Sequence, residues 1–505
     1  MKKLSLLILA AAVLDCGGGA GQPPDGAAGP QTDAGTSTGP GTGGTGGATD
    51  AGGALACADL FDEGTLQTYS IDISADEWSA IEGEFNNLTA LESGEDFAAY
   101  HPVTFHLGTE TVTDAAIKLH GQSSWAQTVM FDGARAKMQF SVSFDQTDPN
   151  GKFHGVSKLV FDMPRSDWTF LHDRVSEHWL RQVGLLAPCS TSARLEINGA
   201  YYGLYSLEEN VGNHVVAEFF PQNPSGDLWK GAAEIETNKT SPNYTRLMQF
   251  DGAKDLTSLA AIVDIPDSLT TWAAEALLND SDGYYGGSHN FLLYDQGAAG
   301  YVFLSTDLDS TLDWLVLFDT VGATDHPIYW WYARAVPAPI PGDKWMIVFA
   351  DASWRARYAE AIAGLLAKWD VGQIQGWIDS WSQQISDAAT TDPHTWATPA
   401  DIQEATSAAH DVIASRAAYL QTFVDCERGV AGAATDADGD GYRWCDECDD
   451  NNAAVHPGAM EICGNGIDDN CNGEIDEGCS ADGGTDGGTD GGTDGGLDAH
   501  GVDAH

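Results

Sequence analysis

The chain has 505 residues and a formal net charge of −52, with 75 acidic against 23 basic side chains. That length exceeds one compact domain, and an apolar content of 43 % is ample for a large core. Charge of this sign excludes a nucleic-acid partner and suits cation binding.

The first residues set the compartment. MKK is a basic start, LSLLILAAAVL is an apolar run too short to span a bilayer, and Cys16 follows. Residues 1–16 have the form of a bacterial lipoprotein signal, with Cys16 as the lipidated first residue of the mature chain. Asp15 replaces the usual small residue there, which keeps an ordinary secretory signal as the alternative. The expectation is an extracytoplasmic protein of the cell envelope, held to a membrane by its lipid anchor, or a secreted one. The cysteines, dense after Val424, fit an oxidising compartment. Residues 17–54, built of Gly, Ala, Thr, Pro and Asp, read as a disordered tether.

Order begins near Cys57, and a first domain is expected over residues 55–426. TLQTYSIDIS alternates like a strand, and SADEWSAIEGEF has a Ser N-cap and helical spacing. HPVTFHLG, TVTDAAIKLHG and AKMQFSVSF read as neighbouring strands of one antiparallel sheet, with Lys137 opening the last. KLVFDM is a further strand. The next segment is helical, with Trp168, Leu171, Val175, Trp179 and Val183 on one face. Ser166 or Asp167 can cap it, Gly184 and Pro188 close it, and Arg174 lies off the apolar stripe. ARLEINGAYYGLYSLEENV is a hairpin turning at Asn198-Gly199 that brings Glu208 and Glu209 to its end; GDLWKG supplies a short strand and Lys230.

The segment Leu278–Asp313 combines a helix end, a Gly-rich loop, two strands and an acidic turn. A hairpin there gathers Asp282, Asn290, Asp307 and Asp309 at one sheet edge. Carboxylates so gathered point to a divalent metal, although Asp, Asn and Gly are also the ordinary residues of turns. Three amphipathic helices follow. Strands first and helices later give an α+β class, expected as an antiparallel sheet followed by helices.

These segments, in this order, resemble the spore coat protein H (CotH) kinase family, an atypical protein-kinase-like group. LHGQSSW stands at its Arg-Gly-Asn-Ser-Ser-Arg-like segment, AKMQFSVSF at its Lys-containing strand, and LHDRVSEHWLRQVGLLAP at its Arg-containing helix. INGAYYGLYSLEENV is similar to its Tyr-rich hairpin ending in Glu, here Glu209; DLWKG to its Leu-Tyr-Lys; and Leu278–Asp313 to its Asp…His-Asn and Trp-Asp-x-Asp segments. The resemblance implies a kinase-like site using ATP with Mg or Mn, and Ser/Thr of an envelope or surface protein as acceptor. By it, Asp307 and Asp309 hold the metal, Asn290 adds a metal or phosphate contact, and Asp282 orients or deprotonates the hydroxyl. Lys137, Arg174, Glu209 and Lys230 serve the nucleotide. His120 and Trp125 stand where the family has arginines, so the alternative is a non-catalytic surface protein with a degenerate kinase-like fold.

A small disulfide-rich acidic module is expected over residues 434–480. Asp436, Asp438, Asp440, Gly441 and Glu447 fit positions one, three, five, six and twelve of a calcium loop. Asp468, Asn470, Asn472 and Asp476 form a looser second copy. The module resembles the metal-binding repeat of bacterial surface proteins related to MopE, which leaves copper open beside Ca. Cys445, Cys448, Cys463, Cys471 and Cys479 are expected to staple it, with Cys426 a further candidate; Cys445/Cys448 can also signal zinc. Residues 481–505 read as a disordered acidic tail.

Overall fold

The computed structural model describes residues 57 and 59–479, apart from 93–96, 122, 164, 166, 285–289, 313–343 and 473–474. The expected signal with Cys16, the tether, the tail and the Ser166 cap lie outside the described residues.

Seven strands form the first layer: β1 (Gln67–Asp72), β2 (His101–Leu107), β3 (Glu110–Leu119), β4 (Phe140–Ser143), β5 (Lys158–Asp162), β6 (Ser190–Ile197) and β7 (Ala200–Glu209). The expected antiparallel sheet closes into a barrel, in the order β1-β2-β3-β4-β5-β7-β6. The seam is a parallel pair, β1 on β6, with Gln67 opposite Ala193; closure leaves no unpaired sheet edge. A disulfide, Cys57–Cys189, fastens the start of the ordered chain beside β6.

Strand alternation sorts the side chains of the barrel. Phe140, Val142, Leu159, Phe161, Tyr205 and Leu207 fill its interior. The opposite face carries polar residues in register. Lys118 stands opposite Ser141, Ser141 opposite Val160, Val160 opposite Glu208, and Glu208 opposite Ser190. One row along, Asp162 stands opposite Ser206. The β6–β7 turn is the Asn198-Gly199 hairpin, both residues at positive φ (50° and 76°) as a two-residue turn of this hand requires.

Over this polar face lies α4 (His172–Val183). Its apolar stripe, Leu171, Val175 and Trp179, joins the main core, while Trp168 stays 37 % exposed. Asp167 satisfies the helix start by accepting from the backbone N–H of Leu171 (2.6 Å) and His172 (2.8 Å). Gly184 ends the helix at φ 89°.

The second sheet, ordered β11-β10-β8-β9, comprises β8 (Leu228–Lys230), β9 (Glu234–Ile235), β10 (Phe291–Asp295) and β11 (Tyr301–Ser305). Against it packs α8 (Ile265–Leu278), and α10 (Ala352–Leu366) packs in turn on α8. Then come α11 (Val371–Thr391) and α12 (Pro399–Glu427). The mixed α+β class therefore holds, although helices such as α4 and α8 lie between strands and do not all follow them. No described helix is long and apolar enough to cross a membrane.

Candidate functional site

The β10–β11 hairpin does gather the four residues read from the sequence. Asn290 ends the loop before β10, and its amide donates to Asp282 Oδ2 at 3.1 Å. Thr306 N–H donates to Asn290 O at 3.2 Å, closing the hairpin mouth. Asp307 follows at φ 59°, a left-handed conformation that Asp tolerates better than bulkier residues. The Asp307–Leu312 turn is pinned from two sides. His172 Nδ1 meets Asp309 O at 2.9 Å, and Leu312 N–H donates to Leu278 O at 2.8 Å.

The barrel and α4 bring four more carboxylates to the same place. Asp173 and Glu177 are one turn apart on α4. Asp162 ends β5 and Glu208 lies near the end of β7, both on the polar face. One oxygen from each of Asp162, Asp173 and Glu208 lies within 4.8 Å of the others.

The seven acidic groups perturb one another. Burial first, then the neighbouring Asp307 charge, pushes the Asp162 carboxyl up to about 7. Burial pushes Glu177 up to about 8 against the pull of Ser190 and Arg181. Burial also drives Asp173, Glu208 and Asp309 well above the carboxylate range; the next cause is Glu208 for Asp173, Glu177 for Glu208 and Asp307 for Asp309. Among the described residues, no Lys, Arg or His stands within 4.0 Å of Asp162, Asp173, Glu177 or Glu208. Cations or protons must offset such a cluster.

The basic residues sort differently from expectation. Lys137 lies just before β4, not within it, and is fully buried. Its ammonium donates to Leu204 O and, at 2.8 Å, to Asp392 Oδ2, and sits 4.3 Å from the Tyr205 ring centre. Arg174 points away from the acidic cluster. It binds Gln384 Oε1 (2.8 Å) and Glu63 O (2.9 Å) and stacks on Trp381. Glu209 takes His214 at 3.0 Å, and its neighbour Glu208 is the one that faces the cluster. Lys137, Arg174 and Glu209, expected as nucleotide contacts, thus each have a partner within the protein.

Lys230 is exposed at the end of β8. Together with Lys158 and Lys118 it acts on His120, whose ring accompanies Ser141 at 3.2 Å. Burial first, then these three lysines, pushes His120 down to about 4, so it is neutral near pH 7. Trp125 is a core residue that donates to Phe85 O at 2.8 Å. Positive charge around His120 therefore comes from Lys118 on β3 and Lys158 on β5 of the barrel and from Lys230 on β8 of the second sheet.

The C-terminal region holds a second acidic centre. Asp436 accepts from Gly439 N–H (2.7 Å) and Gly441 N–H (3.0 Å), which curls the loop around its own carboxylates. One oxygen from each of Asp436, Asp438 and Asp440 lies within 4.8 Å of the others. Glu447 is fully buried, no donor reaches either of its oxygens, and burial followed by Asp440 and Asp438 pushes it up to about 8. Asp450, missed in the sequence, also faces Glu447 and accepts from Ala437 N–H at 2.8 Å. In the second copy, Asp468 accepts from Asn472 N–H at 3.0 Å, and Asn470 and Asn472 donate to Glu477. Asp476 turns elsewhere, accepting from Gly464 N–H at 2.6 Å, so Glu477 replaces it in that set.

The disulfides Cys426–Cys445, Cys448–Cys471 and Cys463–Cys479 staple this module. Cys445 and Cys448 bond to different partners, which removes the zinc reading. The module is docked rather than hung on a stalk. Arg443 donates to Cys426 O at 2.6 Å, and Trp444 packs on Tyr419 and Phe423 of α12.

The family model described as CotH kinase protein matches residues 117–420, more than half of the chain. A second, described as a putative metal-binding motif of the MopE type, matches residues 447–477. No curated protein matches the chain.

Proposed function

Since the chain belongs to the CotH kinase protein family, we propose that it transfers phosphate from ATP, with Mg or Mn, to a Ser or Thr hydroxyl of an envelope or surface protein. The observation that carries this is the hairpin mouth, where Asp282, Asn290, Asp307 and Asp309 meet beside the polar barrel face. Oxygen donors of this kind fit a hard divalent ion. Bound there, the ion would offset charge on the phosphate oxygens.

The side chains divide the remaining work. Asp307 and Asp309 hold the ion, and Asn290 orients Asp282 through its amide. Asp282 accepts the acceptor-hydroxyl proton as that oxygen bonds to the γ-phosphorus and the bond to the ADP oxygen breaks. Lys158, Lys118 and Lys230, which act together on His120, would offset charge on the phosphate oxygens. The C-terminal loop takes Ca²⁺ at Asp436, Asp438, Asp440 and Glu447 and holds the module on the body. An extracytoplasmic, lipid-anchored location through Cys16 remains part of this proposal.

The second reading is a non-catalytic surface protein. It is favoured by the internal use of Lys137 and Arg174, which the resemblance assigns to phosphates. A thermal-shift titration with Mg²⁺-ATP separates the two. At ligand a hundredfold above Kd, binding stabilises by about 2.7 kcal/mol. No rise at millimolar Mg²⁺-ATP, or an equal rise in Asp307→Ala, rejects the kinase reading.

A further inference from the structure

Four of the seven cleft carboxylates have no task in that reading: Asp162, Asp173, Glu177 and Glu208. We propose that they form a second site for a hard divalent cation, bridging the polar barrel face to α4. The proposal rests on the kinase reading for the site's role but not for its existence.

The donor inventory carries the argument. Asp162 accepts from the Gln139 amide and Glu177 is held by Ser190, while Ser206 Oγ, which neighbours Glu208, makes no hydrogen bond. No donor reaches Asp173 Oδ2 or Glu177 Oε2, although the two residues are only 3 % and 2 % exposed. A buried, unpartnered carboxylate oxygen costs several kcal/mol unless something positive meets it. Side chains do not supply that charge, since no cationic group of the described residues lies within 4.0 Å.

Spacing fits an ion. Oxygens on opposite sides of Ca²⁺ lie about 5 Å apart and those on Mg²⁺ about 4 Å apart. The three carboxylates from β5, α4 and β7 place one oxygen each within 4.8 Å of the others. Oxygens this close can meet a single ion of Ca²⁺ size after a small side-chain adjustment, and Mn²⁺ or Mg²⁺ needs a further contraction. Because β5 and β7 belong to the barrel and α4 to the main core, the ion would lock the two halves of the cleft at fixed spacing, beside the phosphate-bearing ion at Asp307 and Asp309.

The test counts Mn²⁺ bound to the full chain at pH 7.5 by electron paramagnetic resonance, without nucleotide. Asp173→Asn/Glu208→Gln is expected to lose one equivalent that the wild type holds. Asp307→Asn/Asp309→Asn loses a different one, and Glu447→Gln affects only the C-terminal loop. In EDTA the Asp173→Asn/Glu208→Gln variant should melt no lower than wild type, since two like charges are gone. If it fails to fold, Glu208→Gln alone should weaken that equivalent roughly tenfold or more. Equal Mn²⁺ counts in folded wild type and variant overturn the proposal and leave a proton-shared cluster. Loss of one equivalent together with no effect of ATP leaves this site standing and removes the kinase reading.

Discussion

Replacing Lys137 with Met tests whether this lysine serves the fold or the nucleotide. Lys137 and Asp392 are both fully buried and 2.8 Å apart. Asp392 also accepts from Leu204 N–H at 2.9 Å and His394 N–H at 2.7 Å, so it ties the end of α11 to β7. Lys137→Met keeps the side-chain volume but leaves Asp392 buried without its cation. Removing one partner of such a pair costs about 3–5 kcal/mol. Lys137→Met/Asp392→Leu removes the orphaned charge as well and should recover most of that loss. Urea unfolding followed by tryptophan fluorescence measures both variants. ATP affinity of the folded Lys137→Met protein should stay within twofold of wild type. An unchanged urea midpoint with lost ATP binding would refute the structural assignment and restore Lys137 to the phosphates.

Three further outcomes are expected. Gly203→Ala should destabilise by about 1–3 kcal/mol in the same urea assay, because an added Cβ would lie 2.7 Å from Lys137 Cε and 2.9 Å from Asp392 Oδ2; an unchanged midpoint contradicts it. Glu177 keeps its proton to about 8 when folded but releases it near 4.5 when unfolded, so the native state binds more protons between those values. Stability in EDTA should therefore fall as pH rises from about 4.5 to about 8, by up to about 1.4 kcal/mol per unit for this group, and level off above that. Glu177→Gln should flatten that slope, and a slope unchanged in the variant removes Glu177 as its source. Finally, Ca²⁺ should change Trp444 fluorescence in the wild type and not in Glu447→Gln, since Trp444 lies within the Asp436–Glu447 loop and donates to Ala433 O at 2.7 Å; equal responses place the ion elsewhere.

What the sequence revealed follows the range of the interactions. Asn198-Gly199, Gly184 and the Asp282–Asn290 contact are local, so turn chemistry and short spacing suffice to find them. The barrel seam joins strands more than a hundred residues apart, β1 and β6, and alternation within a strand says nothing about a distant neighbour. Asp162 and Glu208 were hidden for the same reason: only the β5–β7 register places them on the cluster's face. Asp173 and Glu177 did leave a signal, two acids at helical spacing beside Arg174. The partners of Lys137 and Arg174 were not legible, because a sequence displays a charge and not what meets it, here Asp392 and Gln384.

Under the proposed function, cations must come before nucleotide at this acidic site. Two unit charges 4 Å apart interact by about 4 kcal/mol at an effective dielectric constant of 20. The polyphosphate of ATP would meet several carboxylates at once, while Lys158, Lys118 and Lys230 act around His120. Free ATP in EDTA should accordingly fail to bind, and ATP affinity should rise with Mn²⁺ as the cation sites fill. Neutralising acids by Asp173→Asn/Glu208→Gln should lessen that cation requirement, whereas Asp307→Asn/Asp309→Asn should abolish binding at any cation level. Calorimetric ATP titrations at stepped Mn²⁺ measure this order. Tight binding of ATP in EDTA would show that the lysines outweigh the carboxylates, and would reverse the sign assigned to the cleft.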